Sequence, residues 1–106
     1  MELICESDFD AKIASIALPV VLDFGAEWCG PCRQLEPILD ELEKQLTGRM
    51  QFYRVDAGLC PTLVQRLGVM TLPTVLFFKQ GKVVDQLIGL RPRNEIERVI
   101  QRVLAG

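Results

Sequence analysis

Cys29 and Cys32, separated by Gly30-Pro31 and preceded by Trp28, are the side chains of this sequence best suited to chemistry. Two thiols three residues apart lie about one helical turn from each other on the same face, so they can close into a disulfide at little strain and reopen. If Cys29 opens a helix, its sulfur faces unpaired backbone N–H groups and the positive end of the helix dipole. Both favour the thiolate, which is the nucleophilic form. Pro31 suits the first helical turn, where its missing N–H costs nothing. Cys32 is tucked under the helix start. That asymmetry makes Cys29 the attacking sulfur and Cys32 the one that resolves a mixed disulfide. The competing readings are half a zinc site or a structural disulfide. A zinc ribbon needs a second CxxC or a pair of His, and the chain has no second CxxC and no His at all. No metal ligand set is expected.

These thiols need a rigid base. The run Pro19-Val20-Val21-Leu22-Asp23-Phe24-Gly25 is almost continuously apolar and predicts a central strand covered on both faces. From about Pro31 to Leu46, a stripe of Leu35, Ile38, Leu39, Leu42 and Leu46 predicts a long helix ending near Gly48. A strand-to-helix turn at the carboxyl end of a sheet is where open α/β folds place their sites. Asp23, inside the apolar run, is poorly solvated, so its pKa is expected to rise toward a range where it can exchange protons near neutral pH. The alternative is an acid near a strand end that reaches solvent or caps a helix.

The remaining elements follow from periodicity. Glu2 to Cys5 reads as a short edge strand, and Ser7 as the cap of a helix carrying Phe9, Ile13 and Ile16. Gln51 to Val55 reads as a strand and Thr62 to Leu67 as a short helix. Pro73 to Phe78 and Lys82 to Ile88 read as a hairpin around Lys79-Gln80-Gly81. Ile96, Val99, Ile100, Val103 and Leu104 give a last amphipathic helix. Pro37 lies inside a helical pattern and is expected to kink it. The order β-α-β-α-β-α-β-β-α predicts an α/β fold. It would hold a mixed five-stranded sheet, parallel at the start with an antiparallel C-terminal hairpin, flanked by four helices.

With 106 residues the chain is the size of one domain, 1–106, with one buried core. Its net charge of −2, without a Lys/Arg run, argues against a nucleic-acid footprint or a membrane-surface patch. No apolar stretch approaches the roughly 18 residues of a membrane span. The start, Met1 to Asp8, carries neither a basic leader nor a long apolar segment, which leaves the cytoplasm as the expected location. Cys5 and Cys60 are expected to be small, buried or half-buried fillers. Cys60, before Pro61 in a loop near the active-site face, is also a candidate regulatory thiol. Arg91, Arg93 and Arg98 read as a solvated surface near the start of the last helix.

The run Val21-Leu22-Asp23-Phe24-Gly25-Ala26-Glu27-Trp28-Cys29-Gly30-Pro31-Cys32 closely resembles the active-site signature of the thioredoxin family. The similarity continues through Pro37, Leu72-Pro73-Thr74, Gly81 and Gly89, over essentially the whole chain. The resemblance implies a thioredoxin fold and a protein-disulfide reductase in which Cys29 is the exposed nucleophile and Cys32 the buried resolving thiol. It implies that Asp23, beneath Cys32, exchanges a proton with it. It further implies that Pro73 is a cis-proline facing the site and that Leu72 pairs its backbone with an extended substrate. Trp28, Gly30, Pro31, Leu72, Pro73 and Gly89 would form the substrate-binding rim. The implied partners are disulfide-containing proteins and a thioredoxin reductase, most simply a flavin enzyme drawing on a nicotinamide cofactor. The chain itself would be a monomer with no bound cofactor, because its thiols carry the electrons. From the sequence alone, Pro73 could equally be the first residue of a strand.

Four departures from the family pattern stand out. Gly25 replaces a common aromatic residue, which is expected to loosen packing at the site. Phe52 stands where many members have a buried lysine, which is expected to raise the pKa of Asp23 further. Two extra residues lie between Asp56 and Pro73, and Met70-Thr71 precedes the proline. The sequence leaves two rival functions: the same chemistry run in the oxidising or isomerising direction in an export compartment, and a docking module that uses the apolar rim without chemistry. Gly30-Pro31 between the cysteines favours the reductant.

Overall fold

Strand β2, Val20–Gly25, is buried at every residue and lies in the middle of the sheet, as its unbroken apolar run demands. The computed structural model describes all residues, 1–106. Around β2 the sheet runs β1-β3-β2-β4-β5, with β1 at Glu2–Leu3, β3 at Gln51–Asp56, β4 at Thr74–Lys79 and β5 at Lys82–Ile88. β1 and β2 both pair with β3 in parallel; β4 pairs antiparallel with β2 and with β5. The expected mixed sheet, parallel first and closed by an antiparallel hairpin, is what forms.

Four α-helices flank it: α1, Glu6–Phe9, which continues as a π-helical turn over Asp10–Ala14; α2, Gly30–Gln45; α3, Pro61–Arg66; and α4, Arg93–Ala105. Because successive strand residues point to opposite faces, the sheet divides the apolar residues into two layers. On one side Val21, Phe52, Val75 and Phe77 pack against Leu35, Leu39 and Leu42 of α2 and Ile96, Val99 and Val103 of α4. On the other, Val20, Leu22, Phe24 and Phe78 pack against Phe9, Ile13 and Leu63. Each fully buried Leu or Phe contributes about 2–3 kcal/mol by leaving water, so the two layers together fix the sheet from both faces.

The hairpin turn is tighter than the three-residue loop expected. Only Gln80 and Gly81 lie between the strands, both at positive φ (53° and 79°), the geometry whose twist matches that of the flanking strands. β5 also carries an irregularity: Phe77 pairs with Asp85 but Phe78 with Val83, leaving Val84 as the extra residue.

Cys5 and Cys60 correct an expectation. They are not separate fillers but form a disulfide across 55 residues of sequence, with Cα atoms 5.6 Å apart. Cys60 is therefore not a free regulatory thiol. The parallel pairing of β1 with β3 carries the chain ends of both strands to the same place, where Cys5 precedes α1 and Cys60 precedes α3. The arginine surface is more organised than a solvated patch, since Arg91 pairs with Glu95 at 2.9 Å and Arg93 with Glu41 of α2 at 3.0 Å.

Candidate active site

Cys29 occupies the N-cap of α2, with extended backbone (φ −91°, ψ 106°), and its Sγ accepts the backbone N–H of Cys32 at 3.3 Å. One of the helix's unpaired N–H groups is thus directed at the sulfur. Pro31 lies in the first turn. Cys29 and Cys32 are joined as a disulfide, Cα to Cα 5.3 Å. In this closed form neither sulfur is widely open: Cys29 retains 6% exposure and Cys32 none. Cys29 is the residue solvent still touches.

Around the pair, Ala26 and Leu72 pack directly on the two cysteines. The Leu72–Pro73 peptide is cis, and the Pro73 carbonyl accepts the N–H of Gly89 at 2.8 Å. Residues distant in sequence, Leu72, Pro73 and Gly89, therefore converge on one end of the sheet. Trp28 (79% exposed), Met70 (95%), Ile88 and Leu90 stand out from the surface as large apolar side chains. Gly30 and Pro31 are also exposed.

Asp23 sits in β2, 1% exposed, on the face that packs against α2. Neither carboxyl oxygen has a hydrogen-bond partner in the protein. Burial is the largest influence and pushes its pKa up to about 7, with Glu36 and Asp40 adding in the same direction and Arg54 opposing them. Arg54 is the register partner of Asp23 on β3. Its guanidinium pairs with Glu36 of α2, and its buried Nε has no partner of its own. Arg54, Glu36, Glu27 and Arg33 line a polar cleft of about 330 Å³ beside α2.

Arg54 and Glu36 are the site residues that sequence reasoning missed. The signal was the period of two along β3: Phe52, noted for replacing a lysine, packs in the α2 layer, and Arg54 two residues on shares its face. The positive charge absent at position 52 is thus supplied one strand step later. Gly25 also differs from expectation. A Cβ built there would lie 3.2 Å from the Cys32 Cβ and 3.4 Å from its Sγ, so the backbone closes on the resolving cysteine and leaves no slack.

The arrangement joins a closed cysteine pair at a helix start, packed by Ala26 and Leu72, with a buried acid of pKa near neutral on the α2 side of the same sheet. A family model described as Thioredoxin matches residues 1–102. The chain is similar to Thioredoxin M4, chloroplastic, of Arabidopsis thaliana, 38% identical over 99 residues, which are 93% of this chain and 51% of that protein. It is 37% identical to a thioredoxin of Rickettsia felis over 93 residues, covering 88% of this chain and 89% of the relative. It is 31% identical to Thioredoxin 1 of a Nostoc species over 101 residues, covering 95% and 94%. The chain spans about half the length of the Arabidopsis relative and 60% of a Pisum sativum one. No helix is long and apolar enough to cross a membrane.

Proposed function

The chain belongs to the thioredoxin family, and we propose on that premise that it reduces protein disulfides by thiol–disulfide exchange. The observation that carries this reading is the closed Cys29–Cys32 pair with its first sulfur at the N-cap of α2. In the reduced form the Cys29 thiolate attacks one sulfur of a substrate disulfide, and the other substrate sulfur leaves as a thiolate that takes up a proton. Cys32 then attacks the Cys29 sulfur of the mixed disulfide, releasing the second substrate thiol and closing the intramolecular bond. Two electrons pass to the substrate. Asp23 takes the Cys32 proton during that second step, a role suited to a buried acid with pKa near 7.

Trp28, Gly30, Pro31, Leu72, Pro73 and Gly89 form the docking rim in this proposal, with the Leu72 backbone free to pair with an extended substrate segment. The domain spans 1–106 and acts as a monomer. A thioredoxin reductase restores the dithiol, and the cytoplasm is the compartment that reading favours. No bound cofactor takes part. One observation favours the second direction of flow: the Cys5–Cys60 bond is the kind of crosslink found in oxidising compartments.

The deciding experiment measures disulfide reduction by the Cys29→Ser and Cys32→Ser variants together with the potential of the Cys29–Cys32 couple. Reductase chemistry is expected to vanish in the first variant, and the second to accumulate a long-lived mixed disulfide. Disulfide reduction retained in both variants would overturn the reading. A potential more oxidising than the glutathione couple would reverse the direction of electron flow.

A further inference from the structure

The second disulfide lies outside the exchange just described. Cys60 is buried, whereas Cys5 is half-exposed. Leu3, Ile4, Asp8 and Leu59 join the two cysteines in lining an apolar groove of about 300 Å³, and Leu3 (57% exposed) and Leu59 (76%) stand open to solvent at its edge. One of the two sulfurs is therefore within reach of a thiol from solution, and the other is the natural leaving group.

What this bond holds is the N-terminal edge of the sheet, otherwise joined by short backbone pairing and by ion pairs of the Met1 amino group with Asp40 (3.0 Å) and Glu43 (3.2 Å) and of Glu2 with Lys12 (3.1 Å). β1 has two residues, pairs with β3 through Glu2–Tyr53 and Leu3–Arg54, and adds one further hydrogen bond from the Ile4 N–H to the Arg54 carbonyl at 2.9 Å. It is one of the two edge strands of the sheet. The opposite end of the crosslink belongs to a turn fixed from behind. The Cys60 N–H bonds to the Asp56 carbonyl at 3.0 Å, and the Ala57 N–H bonds to the Gly25 carbonyl at 2.8 Å. Gly25 in turn is the residue closed against Cys32. The bond thus ties a short edge strand to a turn anchored at the base of the active-site helix.

We propose that Cys5–Cys60 is a second two-electron redox couple of the folded chain, opened by a dithiol reductant at Cys5, and that its closure fastens β1 to the sheet. The balance is complete with a dithiol alone. One reductant thiolate attacks the Cys5 sulfur, the Cys5–Cys60 bond breaks, and Cys60 leaves as a thiolate and is protonated. The second reductant thiol then attacks the mixed disulfide, releasing the Cys5 thiol and closing the reductant's own disulfide. Two electrons and two protons enter the protein. With the tether cut, β1 keeps only its short pairing with β3 and these ion pairs, and strand-edge opening increases.

The test uses the Cys29→Ser/Cys32→Ser double variant, so that its result is independent of the proposed reductase activity. The folded protein is treated with dithiothreitol, exchange is quenched with acid and the reductant removed, and the freed thiols are alkylated in denaturant and weighed; amide exchange of residues 2–4 is followed in both redox states. The expected result is no label before reduction and two labels, at Cys5 and Cys60, after it. Exchange at Ile4 should be about tenfold faster or more in the reduced form, with β2 amides unchanged. Cys5→Ser should reproduce the fast exchange without reductant. Should the double variant fold poorly, the wild-type chain is counted instead, with four thiols per chain expected after reduction of the folded protein. Labels that appear only when the reductant acts on unfolded protein would make the bond an inert crosslink, and labels present before reduction would mean that no such bond forms; either overturns the proposal. Unchanged exchange at Ile4 on reduction would overturn the tether.

Discussion

Asp23 and Arg54 lie opposite one another on the parallel strands β2 and β3, and Arg54 is turned to an ion pair with Glu36 of α2. The acid thereby has a cation beside it that is already partly spoken for, and its own oxygens have no protein partner. Its proton affinity is set by burial first and by these two charges second.

The pH dependence of disulfide reduction should follow from that arrangement. The wild-type chain is expected to show a step near pH 7 that disappears in Asp23→Asn. Arg54→Met removes the opposing cation and should move the step upward by about one pH unit, while Glu36→Gln should move it downward. The measurement is the pH profile of the reduction rate in the three variants. Identical profiles in Asp23→Asn and the wild type would remove Asp23 from the mechanism.

The same acid makes stability fall as pH rises. Below pH 3.8 the carboxyl is protonated in folded and unfolded chains alike, so it costs nothing. Between 3.8 and about 7 the unfolded chain releases the proton while the folded chain retains it, so folding loses free energy steadily; above about 7 the full penalty of about 4 kcal/mol is present. Asp23→Asn should therefore match the wild type near pH 4 and exceed it by up to about 4 kcal/mol at pH 8. Urea unfolding at the two pH values tests this, and an equal difference at both would rule it out.

Gly25→Ala places a methyl 3.2 Å from the Cys32 Cβ. Cys32 is fully buried, in a cluster with Ala26, Cys29 and Leu72, so the methyl cannot be absorbed freely. The expected cost is about 1–2 kcal/mol, the overpacking exceeding the small entropic gain of replacing glycine. Urea titration of the oxidised protein reads it.

Gly81→Ala should cost more, about 2 kcal/mol or above. Position 81 has φ +79°, and a Cβ there would meet the Ala14 carbonyl oxygen at 2.8 Å. Gly48→Ala is the control: its φ is +83° but nothing lies within 4 Å of the added carbon, so only the backbone strain of about 1 kcal/mol is expected. Equal losses at the two positions would mean that the contact with Ala14 does not matter.

The sequence made the layers legible because they rest on local period. The leucine stripe of α2 and the apolar run of β2 each pointed to one element, and their observed bounds, Gly30–Gln45 and Val20–Gly25, differ from the expected ones by about a residue. Cys29 at the start of α2 followed from the same reading. What periodicity could not supply is pairing between distant segments. The Cys5–Cys60 bond needs β1 to lie beside β3, which no property of Glu2-Leu3 announces. The Arg54–Glu36 pair needs β3 and α2 on the same side of the sheet. The irregularity at Val84 was hidden as well, since Val83 and Val84 break the alternation in a strand whose outer face is open.

β2 has hydrogen-bonded neighbours on both sides and side chains covered above and below. The segment that leads into the cysteine pair is thus gripped along both edges and on both faces. In the proposed exchange, such a strand would serve as an anvil beneath the sulfurs, a fixed base against which the partner's disulfide is brought.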